Sequence, residues 1–313
     1  MQKALVTGGA GFIGSHLVRA LIEEGVHVRV LDNLSTGSKQ ALEGLDVDLR
    51  VEDLRNKDAL EAAVSGCDTV FHHAAMISVP ISMDDPPGCY DINCTGSVSL
   101  LHAASNAGVR RVVLASSSAV YGDVQGELFE NTALNPQSPY ASSKLAMEQA
   151  GLMYARAFGI EVTALRYFNV YGPGQSPDSP YAAAIPLFID ALLSGRAPVV
   201  FGTGEQTRSF VYVSDVVRAN LLAASKKDGS GKVYNIAGGE TVSILQLLNQ
   251  LRMLLPDTKK PVFTAPRAGD IEHSVANFEE ASAALGYRPV IALEEGLKST
   301  IEWFKGCAGR KVI

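Results

Sequence analysis

Seven residues near the amino terminus, Gly8-Gly9-Ala10-Gly11-Phe12-Ile13-Gly14, constrain this chain more than any other stretch. They follow a short apolar run, Ala4-Leu5-Val6, that reads as a strand. They precede Ser15 to Glu24, whose apolar residues fall on one side of a helix. Strand, glycine turn and helix in this order open a dinucleotide-binding α/β unit. The glycines let the backbone pass close to a pyrophosphate, which rests on the unpaired N–H groups of the helix N-terminus. A glycine-rich turn alone is common, and context separates this one from an ordinary tight turn. Val26 to Leu31 is a second apolar strand ending in Asp32, about 20 residues past the glycines, where a carboxylate accepts from a ribose 2′-OH. Asn33 and Leu34 follow, with no Arg for a 2′-phosphate, so NAD is expected in preference to NADP. The cofactor candidates from this reading are Gly8, Gly11, Phe12, Ile13, Gly14, Asp32, Asn33 and Leu34.

Strand and helix continue to alternate. Val47 to Val51 is a third strand leading to Asp53-Leu54, placed as an adenine contact; Lys57 to Val64 is a helix and Asp68 to His72 a fourth strand. Adjacent strand residues face opposite ways and no third ligand is near, so His72 and His73 read as packing residues and no metal site is expected. Asp84-Asp85-Pro86-Pro87 opens a helix running through Asn93 to Ala107. Val112 to Leu114 is a fifth strand, emerging into Ser116-Ser117-Ser118-Ala119-Val120-Tyr121-Gly122. In a parallel sheet the ligand crevice lies beyond the carboxyl ends of the strands, which is where these hydroxyls arrive.

Ser138-Pro139-Tyr140-Ala141-Ser142-Ser143-Lys144 carries a capping Ser and a Pro at the first helical position, so a helix begins here. Tyr140 and Lys144 then share one face, four residues apart. A neighbouring ammonium stabilises a phenolate and lowers the phenol pKa, which makes Tyr140 a candidate acid/base. On its own the spacing also describes a half-buried ring and a solvated charge. Combined with the glycine turn, it gives the serines a chemical role, in which they hold a substrate oxygen and pass its proton to Tyr140.

Glu161 to Tyr167 is a sixth strand, and the Pro/Gly/Ser-rich stretch from Pro173 to Pro180 is the domain boundary. Beyond it, helices are expected at Ile185 to Leu193, Asp215 to Ala224, Ile244 to Leu255, near Phe278 to Leu285, and at Leu293 to Phe304. Val199 to Phe201 and Val233 to Ile236 are strands. The fold class is α/β, a Rossmann-type doubly wound parallel sheet with a smaller, mostly C-terminal α/β substrate domain. Residues 1–170 plus about 208–238 would form the cofactor domain, and about 171–207 with 239–313 the substrate domain. Arg208 and Arg267 each follow a turn in the region that must close over the crevice, where a diphosphate needs cationic partners.

At 313 residues, 47% hydrophobic and 19% charged, the chain can bury an enzyme-sized core. Its formal charge of −6 argues against a nucleic-acid or anionic-membrane partner. Cys67, Cys89, Cys94 and Cys307 have no metal spacing and read as reduced thiols. The strand beginning almost at Met1 leaves no room for a signal peptide and no apolar run reaches membrane-spanning length, so a cytoplasmic protein is expected.

Taken together, these residues resemble the extended short-chain dehydrogenase/reductase superfamily, and within it the nucleotide-sugar 4-epimerases. The resemblance covers nearly the whole chain, through Thr7 to Gly14, Asp32-Asn33-Leu34-Ser35-Thr36-Gly37, Ser116 to Gly122, Ser138-Pro139-Tyr140 with Lys144, Leu165-Arg166-Tyr167-Phe168-Asn169-Val170, and Arg267 with Gly269-Asp270. It implies that Tyr140 is the catalytic base, that Lys144 is its partner and a nicotinamide-ribose ligand, and that Ser117, with Ser118 as second choice, holds the sugar O4. It extends the NAD contacts to Ser35, Thr36, Gly37, Asp53, Leu54, Ala74, Ala75, Asn93 and Tyr167. Asn169, Arg208 and Arg267 would meet a diphosphate and Asp270 the nucleotide ribose; Val199 and Phe201 would lie beside the uracil and Ser78 against the sugar. Gly174, where Arg is common, and Asn277, where Asp is common, depart from the family's pattern outside the catalytic set.

The implied activity is NAD-dependent inversion at C4 of a UDP-hexose, UDP-Glc/UDP-Gal, with tightly bound NAD. Ser274 borders the sugar C2 substituent by the same resemblance, and its small size extends the substrates to UDP-GlcNAc/UDP-GalNAc; packing elsewhere is the alternative for this side chain. A 4,6-dehydratase would need an acidic pair where Ser118-Ala119 stand. A UDP-glucuronate 4-epimerase shares the frame, and an NAD-sensing binding module would have dispensed with Tyr140 or Lys144. The helices from Pro87 to Ala107 and Tyr140 to Phe158 resemble the pair that forms a homodimeric four-helix bundle, with Leu100, Met147 and Leu152 among its apolar residues.

Overall fold

A computed structural model describes residues 1–177, 183–256, 259–266 and 273–307. Arg267 and Asp270 lie outside these residues, as does the stretch 173–180 beyond Pro177, while Ser274 is described in its backbone alone. The first half runs β1 (Lys3–Thr7), α1 (Phe12–Glu23), β2 (His27–Asp32), β3 (Val47–Val51), α2 (Lys57–Val64), β4 (Thr69–His72), α3 (Val79–Asp84), α4 (Pro86–Tyr90), α5 (Ser97–Asn106), β5 (Arg111–Ser117), β6 (Glu127–Leu128) and α6 (Pro139–Phe158). The second runs β7 (Glu161–Tyr167), β8 (Asn169–Tyr171), α7 (Ala184–Leu193), β9 (Val199–Phe201), β10 (Thr207–Tyr212), α8 (Val213–Ser225), β11 (Lys232–Ile236), β12 (Thr241–Ser243), α9 (Ile244–Leu254), β13 (Val262–Thr264), β14 (His273–Ala276), α10 (Glu279–Leu285) and α11 (Leu293–Cys307).

Seven strands pair in the parallel order β11-β7-β5-β4-β1-β2-β3. The chain winds outward in both directions from the β1/β4 junction, and a doubly wound sheet binds its ligand over the carboxyl ends at such a switch point. The apolar runs of these strands are buried on both faces because helices cover both. One core joins Val6, Val30, Phe71 and Leu165 to α1 and α8, and the other joins Leu5, Val70, Leu114 and Val162 to α2, α5 and α6. A second sheet, β12-β10-β14-β6 with β8 on β10, and the β9/β13 pair carry a separate core of Ile185, Phe188, Leu247, Leu251 and Leu297 against α7, α9 and α11. Among the described residues no helix is long and apolar enough to cross a membrane.

Local chemistry sets the helix ends. Ser138 accepts from Ala141 N at 3.1 Å to start α6, Pro139 takes the first position, and Gly159 ends it in the left-handed region at φ 72. Ser243 and Gln246 form a reciprocal capping box on α9. Structure and sequence pattern differ between 84 and 107, where the pattern predicts one continuous helix. The backbone instead passes from α4 through a π-helical turn, Asp91–Gly96, into α5. The Asn93 side chain points inward there, accepting from Met76 N at 2.7 Å and donating to Met76 O at 2.9 Å, so the turn widens around a tertiary partner that helix periodicity cannot reveal. The short α3, capped by Ser78, is likewise absent from the sequence-based expectation.

Candidate active site

The glycine turn joins β1 to α1 at the switch point. Gly8 has φ +69, and a Cβ built on it would lie 2.6 Å from Ala74 N; one on Gly14 would lie 2.1 Å from Gly8 O. Both positions are therefore closed to any side chain, and the first turn of α1 sits against the loop. Gly11 caps α1 without a side-chain bond, leaving the first helical N–H groups without a side-chain acceptor. The Asp32 carboxylate, 8% exposed, accepts from Ala10 N at 2.9 Å and Leu34 N at 2.8 Å. It ties the glycine turn to the loop after β2 and keeps lone pairs for a ribose hydroxyl. Leu34, at φ 59, takes a backbone conformation uncommon for a side chain of its size. Ser35 N donates to Asn33 Oδ1, and Ser38 N donates to Ala10 O, so Asn33, Leu34, Ser35, Thr36 and Gly37 fold back over the turn.

Asn33 also donates to Asp53 at 3.0 Å. The Arg55 guanidinium beside Asp53 holds its carboxyl well below the usual range. Leu54 is buried, and Ala74 N donates to Thr7 Oγ1, placing Ala74-Ala75 over the end of β1. His72 bridges Thr7 and Ser97 in the core, with burial pulling its pKa down to about 3. His73 faces the other way: its ring stacks on Tyr167, Nε2 lies 3.2 Å from the Tyr167 phenol, and Nδ1 is buried with no protein partner. Among the described residues no cluster of three His, Cys, Asp or Glu side chains could hold a metal ion. Glycines that admit no Cβ, a helix end with free N–H groups, a carboxylate at the end of β2 and an unpartnered imidazole atom together fit a dinucleotide lying across the crevice.

Tyr140 opens α6, half-buried, and the Ser117 side chain at the end of β5 lies near enough to its phenol to favour the phenolate. Lys144, one turn later, is 4% exposed; its Nζ donates to Ala115 O at 2.8 Å and sits 6.0 Å from the Tyr140 ring centroid. Tyr140, Ser117 and Lys144 thus converge from a helix and a strand end. Their electrostatics depart from the sequence-based expectation of a phenol lowered by Lys144. Burial pushes the Tyr140 phenol up, the Ser117 side chain opposes that rise, and the ammonium is spent on a carbonyl. Burial also draws the Lys144 pKa down to about 8. Ser143 and Cys89 back the pair: Ser143 Oγ donates to Tyr140 O and accepts from Asn93, and Cys89 lies 3.6 Å from Ser143 Oγ. Ser118 begins the 3-10 turn after Ser117, and Ser78 Oγ accepts from Ile81 N at the head of α3.

On the second sheet, Asn169 of β8 donates to Ser209 O of β10, and Arg208 lies on β10 with Nη1 on Thr207 O. Val199 and Phe201 lie on β9, paired with β13. Glu148 is unread in the sequence, and Ser116, read there with the crevice hydroxyls, is instead buried and donates to Glu148, which also meets Arg166 beneath α6. The signal was present for Glu148, which falls on the Tyr140 and Lys144 face of α6, eight residues past the tyrosine.

Residues 4–237 match the NAD dependent epimerase/dehydratase family. The chain is similar to the UDP-glucose 4-epimerase of Thermotoga maritima solved with UDP-glucose, at 38% identity and TM-score 0.93, covering 98% of this chain and 100% of that one. It is also similar to a UDP-N-acetylglucosamine 4-epimerase from Methanobrevibacter ruminantium M1 in complex with UDP-N-acetylmuramic acid, at 38% identity and TM-score 0.94 over 97% and 98% of the two chains. The UDP-glucuronic acid 4-epimerase of Bacillus cereus, in complex with UDP-glucuronic acid and NAD, matches at 33% identity and TM-score 0.90 over 97% and 99%. With a glycine turn, a β2 carboxylate and a Tyr/Lys/Ser convergence on the same sheet, the chain belongs to the NAD dependent epimerase/dehydratase family, among the extended short-chain dehydrogenases/reductases, with NAD as its cofactor.

Proposed function

We propose that this protein inverts the configuration at C4 of a UDP-hexose, interconverting UDP-Glc with UDP-Gal and UDP-GlcNAc with UDP-GalNAc through a transient 4-keto sugar. The observation that carries the reading is the Tyr140 side chain, with Ser117 acting on its phenol and Lys144 one helical turn away. Tyr140 takes the proton of the 4-OH while Ser117, with Ser118 beside it, holds O4. NAD held at the glycine turn and Asp32 would supply the hydride acceptor and donor for C4, with the keto sugar turning over between the two transfers to present its opposite face. Tyr140 then gives the proton back to O4, and because C4 also regains its hydride the reaction ends with no net redox. Inversion requires a firmly held diphosphate and a loosely held sugar, which we assign to Asn169, Arg208 and Arg267 at one end and small residues at the other. Asp270 takes the nucleotide ribose, Val199 and Phe201 the uracil, and Ser78 the sugar. We further assign a homodimer through the α4–α5 and α6 faces.

The substrate range rests on the small size of Ser274, at the position that by resemblance borders C2, and on the likeness to epimerases of plain and acetylated sugars. The likeness to a glucuronate epimerase supports UDP-glucuronate 4-epimerase as the second reading. The test is to incubate the purified protein, without added NAD, with UDP-GlcNAc, UDP-Glc and UDP-GlcA separately and to look for the C4 epimer by NMR. Conversion of the first two supports the assignment, and conversion of UDP-GlcA alone replaces it with the second reading. Ser274→Tyr is expected to lower kcat/KM for the acetylated sugars at least about tenfold more than for the plain ones, the range over which a pocket discriminates by size. Equal losses would remove Ser274 from the C2 pocket.

Turnover should also fall as pH rises past about 8, where Lys144 passes from ammonium to amine and loses the charge we assign to holding the nicotinamide ribose. A kcat profile over pH 6 to about 10 measures this. An undiminished rate at the alkaline end would show that the Lys144 charge is not needed.

A further inference from the structure

Glu148 stands one helical turn beyond Lys144 on the same face of α6, and it is completely buried. Its carboxylate receives a two-point bond from Arg166, Nε to Oε1 at 2.9 Å and Nη2 to Oε2 at 2.8 Å, and Oε1 also accepts from the Ser116 hydroxyl. Arg166, 4% exposed, donates from Nη1 to the Tyr121 phenol at 2.9 Å and to Glu130 O at 3.2 Å, and its guanidinium lies 4.8 Å over the Tyr121 ring. The Tyr121 phenol in turn donates to Asn235 at 2.7 Å. None of these groups takes part in the proton and hydride transfers, yet each adjoins one that does or that lines the site. Ser116 precedes Ser117, Arg166 precedes Tyr167, and Tyr121 closes the 3-10 turn that Ser118 begins. Across the sheet, Ser116 pairs with Arg166 and Ser117 with Tyr167.

Stability does not account for this cluster. Desolvation offsets most of what two buried charges gain from each other, and an apolar pair of equal volume commonly holds a fold as well. What a planar two-point ion pair supplies is fixed distance and angle. The three elements it ties together, α6, β5 and β7, are the ones whose relative placement decides whether the Tyr140 phenol reaches Ser117.

We propose that Glu148, Arg166 and Ser116 form the positioning device of the active site, locking α6 against the carboxyl ends of β5 and β7 and so setting the separation between the Tyr140 phenol, the Ser117 hydroxyl and Lys144. The proposal rests on the reading that these three groups carry the chemistry. Glu148→Leu/Arg166→Met removes both charges together and leaves neither unpaired, so the variant is expected to fold. Its thermal unfolding, bound NAD, kcat and KM for UDP-glucose would be compared with those of the parent protein. So would the ultraviolet titration of the Tyr140 phenol, isolated by subtracting the same titration of a Tyr140→Phe variant in each background. Lys144 on the same helix and Cys89 on α4 also face that phenol.

A misplaced base is expected to lower kcat about a hundredfold. KM should stay within about threefold, since the UDP end of the site is untouched. The phenol should titrate at higher pH than in the parent, because the Ser117 side chain that favours the phenolate is drawn away. A folded double variant with parental kcat and a parental phenol titration would overturn the proposal. If the double variant does not fold, Ser116→Ala cuts only the hydroxyl tie to β5; a loss of about tenfold in kcat is expected, and a parental kcat overturns the proposal equally. If the parent converts no UDP-sugar, the functional reading fails, and the phenol titration alone decides the proposal.

Discussion

Tyr140→Phe is expected to abolish epimerisation while leaving the protein folded and NAD bound. The substitution removes one oxygen and keeps the ring, so the packing of α6 and the Lys144 bond to Ala115 O are preserved. What disappears is the phenol beside Ser117, the group that exchanges a proton with O4 in the proposed chemistry. General acid/base catalysis by a positioned side chain contributes about 10²–10⁴-fold, and a loss of that size or greater is anticipated in kcat. Conversion followed by NMR gives the rate, and NAD released on denaturing the purified variant gives the occupancy. A variant that keeps its NAD and still turns over within tenfold of the parent would take Tyr140 out of the proton transfer. One that loses NAD would show instead that the phenol holds the cofactor.

Gly14→Ala should strip the protein of cofactor. The added methyl carbon would meet Gly8 O at 2.1 Å and Gly9 Cα at 2.8 Å, and both are backbone, so no side chain can swing aside. Either the glycine turn or the first turn of α1 must move, and these two are where we assign the pyrophosphate contacts. An overpacking cost of about 3 kcal/mol taken from binding corresponds to about a hundredfold weaker NAD. Purified Gly14→Ala is therefore expected to contain little NAD, with activity returning only at high added NAD. Calorimetric titration of NAD measures the shift directly, and an affinity equal to that of the parent would show that this approach of helix and turn is not what seats the pyrophosphate.

The parts legible in the sequence share a short range. The glycine turn, Asp32 at the end of β2, the Ser138-Pro139 start of α6 and the alternation of strands and helices are each written within a few residues, because backbone propensity, capping and side-chain periodicity act locally. The departure between 84 and 107 has the opposite cause: Asn93 widens a helix to reach Met76, seventeen residues away in sequence. Strands β6, β8, β12, β13 and β14 are two to four residues long and carry too little alternation to be read. Arg166 belongs to a recognisable run, Leu165 to Val170, but nothing in that run announces that its guanidinium ends on Glu148.

By itself the sequence determined the α/β order of the chain, the place of its dinucleotide turn and the pairing of Tyr140 with Lys144, since each follows from residues close together along the backbone. Only the tertiary structure decided the surroundings of that pair. Ser117 reaches Tyr140 from a strand end, Glu148 reaches Arg166 and Ser116 across 18 and 32 residues, and burial raises the Tyr140 phenol where spacing had suggested a fall. Desolvation and long-range hydrogen bonding depend on which groups exclude water from one another, and that is settled only when the helices close over the sheet.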